Sequence, residues 1–240
     1  INWARIVAQT VYYFFSYFKV CQLNEKINFS VPTGNFGDVY AGYLSKKMGL
    51  PIEKLIVATN QNDILHRAIS KGKYESHSVV ETLSPSMDIQ VASNFERLIY
   101  DLNEQSADKT NKIMQEIKIK KKYLIEKKEL TKIKEDFISE SVSEEELLFC
   151  IKKVYENYKM IIDPHTAVGL RALEKINLNG KNVVLSTAHP CKFPEAIQKA
   201  INVNSELPSE LNYILYEKEN FVVIQNNIEK VKEYILSKLI

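Results

Sequence analysis

Apolar residues along this chain recur with two different periods, and the alternation between these periods predicts the architecture. Short apolar runs that end at turn residues predict strands over 27–31, 55–59, 78–82 and 181–186. Spacings of three and four residues predict helices between them, beginning with the pattern of Trp3, Ile6 and Thr10. Because strands that alternate with helices form mostly parallel sheets, the sequence predicts an α/β fold with helices on both faces of the sheet.

The first predicted helix is apolar on nearly all sides. Six aromatic residues lie between Tyr12 and Phe18, and a terminal helix exposed to water would not tolerate so much apolar surface. The helical pattern also starts at residue 1, with no initiator methionine and no capping residue before it. Two interpretations fit: an ordinary helix buried in its own domain, or the start of a fragment whose missing part covers the helix.

The pattern changes between about residues 102 and 146, where lysine, glutamate and isoleucine dominate and no proline occurs. This composition predicts a helical, solvent-facing insertion. The six lysines between Lys118 and Lys128 would suit an RNA or membrane surface, but Glu126 and Glu129 interrupt the positive charge. Mixed charges of this kind are typical of a solvated helix face.

Composition and charge exclude several function classes. The chain has 45% hydrophobic and 26% charged residues and a net charge of +2, which is typical of a globular protein and does not favour a nucleic-acid partner. Its three cysteines, Cys21, Cys150 and Cys191, form no close pair, which favours a reducing compartment, and we expect a cytoplasmic protein. No membrane span or signal peptide is predicted. The four histidines show no metal-binding spacing, so we expect no metal site.

The segment Pro32–Asp38 is the first candidate for chemistry, because it follows a predicted strand and opens a predicted helix. Ligands of open α/β sheets bind at this edge. The glycines Gly34 and Gly37 let the backbone turn, and the helix adds its positive end, so the loop is suited to hold a phosphate through main-chain N–H groups. No third glycine completes a dinucleotide fingerprint. Asp38 is interpreted as a first-turn acid that the helix dipole favours.

Two further segments are predicted at the same edge of the sheet. Asp163 and Pro164 have the residue types of a helix N-cap and first helical position, followed by His165. The hydroxyl residues Ser186 and Thr187 end the last predicted strand and would face the same crevice as the Gly34 loop. No nucleophile elbow accompanies them.

Taken in order, six segments of the chain resemble threonine synthase, a family of pyridoxal-phosphate enzymes with the tryptophan synthase β-like fold (fold type II). The segments are INWARIVAQ (1–9), VPTGNFGD (31–38), ATNQNDIL (58–65), SPSMDIQVASNFER (84–97), DPHTAVG (163–169) and STAHPCKFPEA (186–196). They span nearly the whole chain apart from the charged stretch. The resemblance implies that residues 1–240 form the cofactor-phosphate-binding large domain, with the insertion at about 102–146.

The resemblance also implies an activity: a lyase of threonine biosynthesis that converts O-phospho-L-homoserine and water to L-threonine and phosphate. The loop residues Gly34, Asn35, Phe36, Gly37 and Asp38 correspond to those that hold the phosphate of pyridoxal 5′-phosphate. Thr187 corresponds to the residue whose hydroxyl bonds the pyridine nitrogen. Four more residues are expected at the rim of the site, without assigned roles: Ser86, Asp88, Asn94 and Arg97.

One part of the family pattern has no counterpart here. The lysine that forms the imine with the cofactor and the loop that grips the substrate carboxylate belong to the amino-terminal half, which these residues do not match. Lys192 matches a family position other than that lysine. We therefore expect a fragment that is inactive without its amino-terminal half. The alternatives are a non-catalytic phosphate- or ligand-binding module and a related serine or threonine dehydratase.

Overall fold

A computed structural model describes residues 2–239 of the chain, in two compact units that meet in sequence between Ser205 and Glu206. The helices of the first unit are α1 (Trp3–Val20), α2 (Gly37–Lys47), α3 (Ile64–Lys71), α4 (Phe95–Leu102), α5 (Ala107–Lys120), α6 (Lys127–Asp136), α7 (Glu144–Tyr158), α8 (Pro164–Ile176) and α9 (Pro194–Ile201). Its strands are β1 (Ile27–Pro32), β2 (Ile52–Thr59), β3 (Lys73–Glu75), β4 (Lys122–Leu124), β5 (Phe137–Ser141) and β6 (Lys181–Val184). Short 3₁₀ helices occur at Pro85–Met87 and Pro190–Lys192. The second unit contains a 3₁₀ helix at Ser209–Tyr216 and α10 (Ile228–Leu236).

Four parallel strands form the central sheet in the order β5-β2-β1-β6. Phe29 in β1 lies between Leu55 of β2 and Val183 of β6. A separate antiparallel pair joins β3 to β4, with Tyr74 opposite Tyr123. The predicted mostly parallel sheet is therefore confirmed.

The two faces of the sheet are covered by different helices. Successive side chains of a strand point to opposite faces, and β2 accordingly sends Leu55 and Val57 to one face and Ile56 and Ala58 to the other. The first face packs on an aromatic-rich core from α1, α2, α3 and α4, and the second on α7, α8 and α9. Helices on both faces are thus confirmed, and Cys150 of α7 is fully buried among the apolar residues of the second face.

The predicted strand at 78–82 is wrong. Val80 exchanges hydrogen bonds with the side-chain amide of Asn62, donating its N–H at 2.9 Å and accepting from Nδ2 at 2.8 Å. A side chain therefore takes the backbone groups that a neighbouring strand would otherwise use. Apolar and β-branched composition alone did not reveal this competition from a side chain 18 residues away in sequence.

The charged stretch at 102–146 is only partly helical. It contains α5 and α6, but also β4 and β5. Strand β5 is one of the two edge strands of the central sheet, where it pairs with β2 and buries Phe137. Its period-two pattern is only five residues long, which made it easy to miss beside two charged helices.

The carboxyl ends of β1 and β6 meet the start of α8 at one edge of the sheet. Gly169 allows this approach, because a Cβ there would lie 3.1 Å from both Pro32 Cγ and Val184 Cγ1. The Ser30 hydroxyl in β1 donates to the Gly169 carbonyl at 2.6 Å. The loops that leave β1 and β6 therefore begin close together. No helix within residues 2–239 combines the length and apolar composition that a bilayer crossing requires.

Candidate functional site: an anion cradle at the edge of the sheet

The loop after β1 turns sharply into α2 through a residue that is not glycine. Phe36 adopts the left-handed conformation, with φ of 65°, which is uncommon for a side chain of this size. Its ring is fully buried between Phe95 and Phe137, at centroid distances of 5.3 and 5.7 Å. Aromatic packing therefore stabilises the turn that sequence reasoning assigned to the two glycines.

Gly34 is required for a different reason, namely the close approach of a second loop. A Cβ at Gly34 would lie 2.5 Å from the carbonyl oxygen of Ser86 and 3.3 Å from the Cα of Met87. Both atoms belong to backbone, so neither moves without shifting the segment. The second loop thus lies directly against the Gly34 loop.

The main-chain N–H groups of residues 34–38 find no acceptor within the part of the chain that the structure describes. The pairing resumes on either side, where the Thr33 N–H donates to the Ala58 carbonyl and the Tyr40 N–H donates to the Phe36 carbonyl. The free groups lie at the amino-terminal end of α2, where the helix dipole favours negative charge. This combination is chemically suited to an anion.

A cavity of about 430 Å³ opens beside these N–H groups. The predicted residues Gly34, Asn35, Phe36, Gly37, Asp38 and Thr187 all line it. Thr187 follows β6 and is exposed to the cavity, so the structure brings the two predicted segments together at one site. A volume of this size is within the usual range for small-molecule sites.

Of the four residues expected at the rim, two line the cavity. Ser86 and Asn94 do so, and Asn94 donates from its backbone and from its side chain to the Asn35 carbonyl, at 3.0 and 3.1 Å. Asp88 instead accepts hydrogen bonds from Asn60, Asn62 and Thr82, and the first two connect the Ser84–Asp88 segment to the loop that follows β2. Arg97 lies over the ring of Trp3, 5.0 Å from its centroid, in a neighbouring groove.

Asp38 is a first-turn acid of α2, as expected, but burial has a larger effect on its pKa than the helix dipole. Burial raises its pKa to about 6, and a hydrogen bond from Tyr13 only partly offsets this effect. The Tyr13 hydroxyl lies 2.7 Å from the Asp38 carbonyl oxygen and 3.2 Å from its Oδ1. Desolvation therefore outweighs the helix dipole, which by itself would lower the pKa.

Other cavity residues were not predicted as members of the site. Arg5 and Gln9 of α1 line it together with Asn2. Lys192, far from them in the sequence, lines it as well. The spacing of four between Arg5 and Gln9 places both on one face of α1. Two polar residues on one face of an otherwise apolar helix were the available signal.

His165 also lines the cavity. Asp163 is the N-cap of α8 and Pro164 its first residue, as predicted. Burial by itself would raise the pKa of Asp163, but hydrogen bonds from His165 and Thr166 bring it below its ordinary value. A charged carboxylate is thus held in a nearly inaccessible position.

This chain is similar to known proteins in both sequence and structure. The family described as "Threonine synthase, C-terminal" matches residues 166–235. The threonine synthase of Pseudomonas aeruginosa is 43% identical over 98% of this chain and 51% of its own length. The chain resembles the carboxyl-terminal half of threonine synthase. Its structure superposes on the PLP-bound threonine synthase of Brucella melitensis with a TM-score of 0.92 at 42% identity, over 98% of this chain and 51% of that one.

The yeast threonine synthase structure gives a similar result, with a TM-score of 0.88 at 41% identity over 100% of this chain and 53% of that one. The predicted fold, α/β with a mostly parallel sheet in the pyridoxal-phosphate fold type II, is therefore confirmed. The chain spans about half the length of the threonine synthases that it matches.

Proposed function

We propose that this chain forms the cofactor-phosphate half of a threonine synthase, which converts O-phospho-L-homoserine and water to L-threonine and phosphate with pyridoxal 5′-phosphate. The free N–H groups of residues 34–38 carry the proposal. They suit a phosphate because several N–H donors and a helix amino terminus act on one anion without a neutralising lysine. The identity to threonine synthases over the whole chain supports the same assignment.

The cofactor would lie between the Gly34 loop and the end of β6. Gly34, Asn35, Phe36, Gly37 and Asp38 would hold its phosphate, and the Thr187 hydroxyl would bond its ring nitrogen. A neutral hydroxyl does not keep that nitrogen protonated as a carboxylate would, so it moderates the electron demand of the ring. When bound, the cofactor supplies an electron sink that eases the loss of substrate protons.

The cavity has charges that suit an anionic substrate. Arg5 and Lys192 line it, and neither forms an ion pair within the described residues. O-Phospho-L-homoserine carries a phosphate and a carboxylate, so two cations beside the cofactor site would orient it by charge. Neither cation is assigned the imine-forming role, which we place in the amino-terminal half.

The exposed face of α1 is suited to contact the amino-terminal half. Ile6, Tyr13 and Tyr17 are buried within the chain, but Val11, Tyr12, Phe15 and Phe18 are between 59% and 67% exposed. Relatives about twice as long contain a second half, and an apolar helix face adjoining the cavity is a suitable surface for it. Only one side of the aromatic segment 12–18 is thus buried within this chain.

Phosphate release tests the proposal. The chain is co-expressed with the amino-terminal half of a threonine synthase and incubated with pyridoxal 5′-phosphate and O-phospho-L-homoserine. We expect phosphate and threonine in equal amounts from the pair, and neither product from the chain alone. Ammonia formed from threonine is measured in parallel, because ammonia without phosphate would assign the site to a dehydratase.

A second experiment replaces Thr187 with alanine in the same pair. Cofactor should still bind through the phosphate, but its absorption spectrum should change because the ring nitrogen loses its hydrogen bond. An unchanged spectrum would remove Thr187 from the site. A pair that assembles but binds no cofactor would overturn the proposed function.

A further inference from the structure

A series of buried and partly buried hydrogen bonds connects α8 to the loop that covers Gly34. Asp163 is 1% exposed and its Oδ1 lies 3.0 Å from His165 Nδ1. His165 is 3% exposed, and its Nε2 lies 3.2 Å from the Ser86 nitrogen. Because a backbone N–H only donates, Nε2 must accept, and the ring proton must therefore be on Nδ1, facing the carboxylate. The two hydrogen bonds thus run in one direction: Ser86 donates to His165, and His165 donates to Asp163.

Ser86 is held from two sides as a result. Its N–H is bonded to His165, while its carbonyl oxygen occupies the space that a side chain at Gly34 would need. The Phe193 ring lies against His165 at a centroid distance of 4.8 Å and keeps the imidazole in place. The position of His165 therefore sets how closely the Ser86 segment approaches the Gly34 loop.

The same carboxylate reaches the other wall of the cavity. Its second oxygen accepts a hydrogen bond from the Thr166 hydroxyl, and that hydroxyl lies 3.4 Å from the hydroxyl of Ser186. Ser186 directly precedes Thr187, which lines the cavity. Asp163 is thus connected to both segments between which a ligand would lie. His165 links it to Ser86, and Thr166 links it to Ser186.

We propose that Asp163 is a positioning residue that sets the separation of the two cavity walls, through His165 and Ser86 on one side and through Thr166 and Ser186 on the other. This inference rests on the proposed function, since it assigns the separation to a bound cofactor. An ordinary N-cap role would require only the bonds from Asp163 to the backbone N–H groups of His165 and Thr166. The two side-chain arms are additional to that role.

The first experiment substitutes His165 in the complete enzyme, with both halves present, and tests the connection from Asp163 to Ser86. His165→Leu removes the acceptor for the Ser86 N–H, whereas His165→Gln offers a carbonyl oxygen near the position of Nε2. We expect the dissociation constant of pyridoxal 5′-phosphate to rise about tenfold in His165→Leu and by less than about threefold in His165→Gln. His77→Leu, at an exposed histidine outside the cavity, is the matched control and should leave the constant unchanged.

Hydrogen exchange gives a readout that needs no cofactor. In the same proteins without cofactor, the Ser86 N–H should exchange at least about tenfold faster in His165→Leu than in the parent. His165→Gln and His77→Leu should exchange at the parental rate. Thr166→Val should leave the Ser86 N–H protected but shift the spectrum of the bound cofactor, because only the Thr187 wall is affected.

The outcomes distinguish this inference from the proposed function. If the parent binds cofactor and His165→Leu leaves both the dissociation constant and the Ser86 exchange unchanged, the positioning role is overturned and the proposed function stands. If the assembled parent binds no cofactor, the proposed function fails and the positioning role fails with it. Should His165→Leu not fold, Thr166→Val decides, and an unshifted spectrum in that variant overturns the role of Asp163.

Discussion

Gly34 and Gly37 lie three residues apart in one loop, yet the structure gives them unequal constraints. A Cβ at Gly34 would meet the Ser86 carbonyl oxygen at 2.5 Å, whereas at Gly37 the nearest atom is Asn94 Nδ2 at 3.3 Å. The first neighbour is backbone and the second is a side chain that can move. Backbone geometry therefore makes Gly34 the less replaceable residue.

We predict that Gly34→Ala weakens cofactor binding by about tenfold or more in the complete enzyme, because the added methyl group pushes the Ser86 segment away from the cradle. Gly37→Ala is the matched variant and should weaken binding by less than about threefold. Equilibrium titration of the apoenzyme with pyridoxal 5′-phosphate measures both. Equal affinities in the two variants would contradict the assigned contact.

Asp38 provides a pH-dependent test at the same scale. Burial raises its pKa to about 6, above the value of about 3.9 in an unfolded chain. Between these pH values the folded state keeps a proton that the unfolded state has lost. The contribution of Asp38 to stability is therefore fully present below pH ~4 and is lost as the pH rises to about 6.

Asp38→Asn should consequently be more stable than the parent at pH 7, by about 1–2 kcal/mol after allowance for partial exposure, and this advantage should disappear below pH ~4. Urea denaturation of the chain at several pH values measures the difference. Asp108→Asn, at an exposed first-turn acid of α5, should show no such gain. A pH-independent difference for Asp38→Asn would exclude the titration of this carboxylate as its cause.

At the scale of elements, the packing of α1 on α2 and β2 depends on one small residue. A Cβ at Gly42 would lie 2.6 Å from Tyr13 Cε1 and 2.7 Å from Leu55 Cδ2. The Tyr13 ring is fully buried and its hydroxyl is bonded to Asp38, so it cannot move aside. The close approach of α1 also brings Arg5 and Gln9 to the cavity.

Gly42→Ala should therefore destabilise the chain by about 1–3 kcal/mol, the usual cost of overpacking a filled core. Gly169→Ala, where the nearest atoms would lie 3.1 Å away, should cost less. Denaturant midpoints at a constant slope measure both losses. A stable Gly42→Ala protein would show that α1 can slide on α2.

At the scale of the whole molecule, the surface of α1 that remains exposed is the feature on which assembly should depend. Tyr12→Ser together with Phe15→Ser should weaken association with the amino-terminal half by about tenfold or more, since two apolar side chains would no longer be buried at the interface. The melting temperature of the chain alone should not fall, because both side chains are already exposed.

The control for this prediction is Tyr158→Ser, at an exposed tyrosine at the end of α7. It should leave association unchanged, as measured by sedimentation or by titration of one half with the other. If the double variant associates as well as the parent, the amino-terminal half does not cover this face of α1. The apolar face would then require a different occupant.

Much of the fold followed from local patterns. The strands predicted at 27–31, 55–59 and 181–186 and the capped helix at Asp163 were predictable, because period and capping chemistry act over a few residues. The third strand at 78–82 failed since Asn62, far from it in sequence, takes its backbone groups. Strand β5 was hidden because its charged surroundings resembled a helical surface.

The sequence by itself determined the α/β class, the position of a glycine-containing loop between β1 and α2, and the likeness to half of a threonine synthase, because these depend on residue type and short-range order. Only the tertiary structure decided that Phe36 makes the left-handed turn, that Gly34 is needed for the approach of Ser86, and that Asp163 reaches both cavity walls. The His165–Ser86 bond joins residues 79 positions apart. Contacts of that separation exist only after the sheet has formed and leave no periodic signal in the chain.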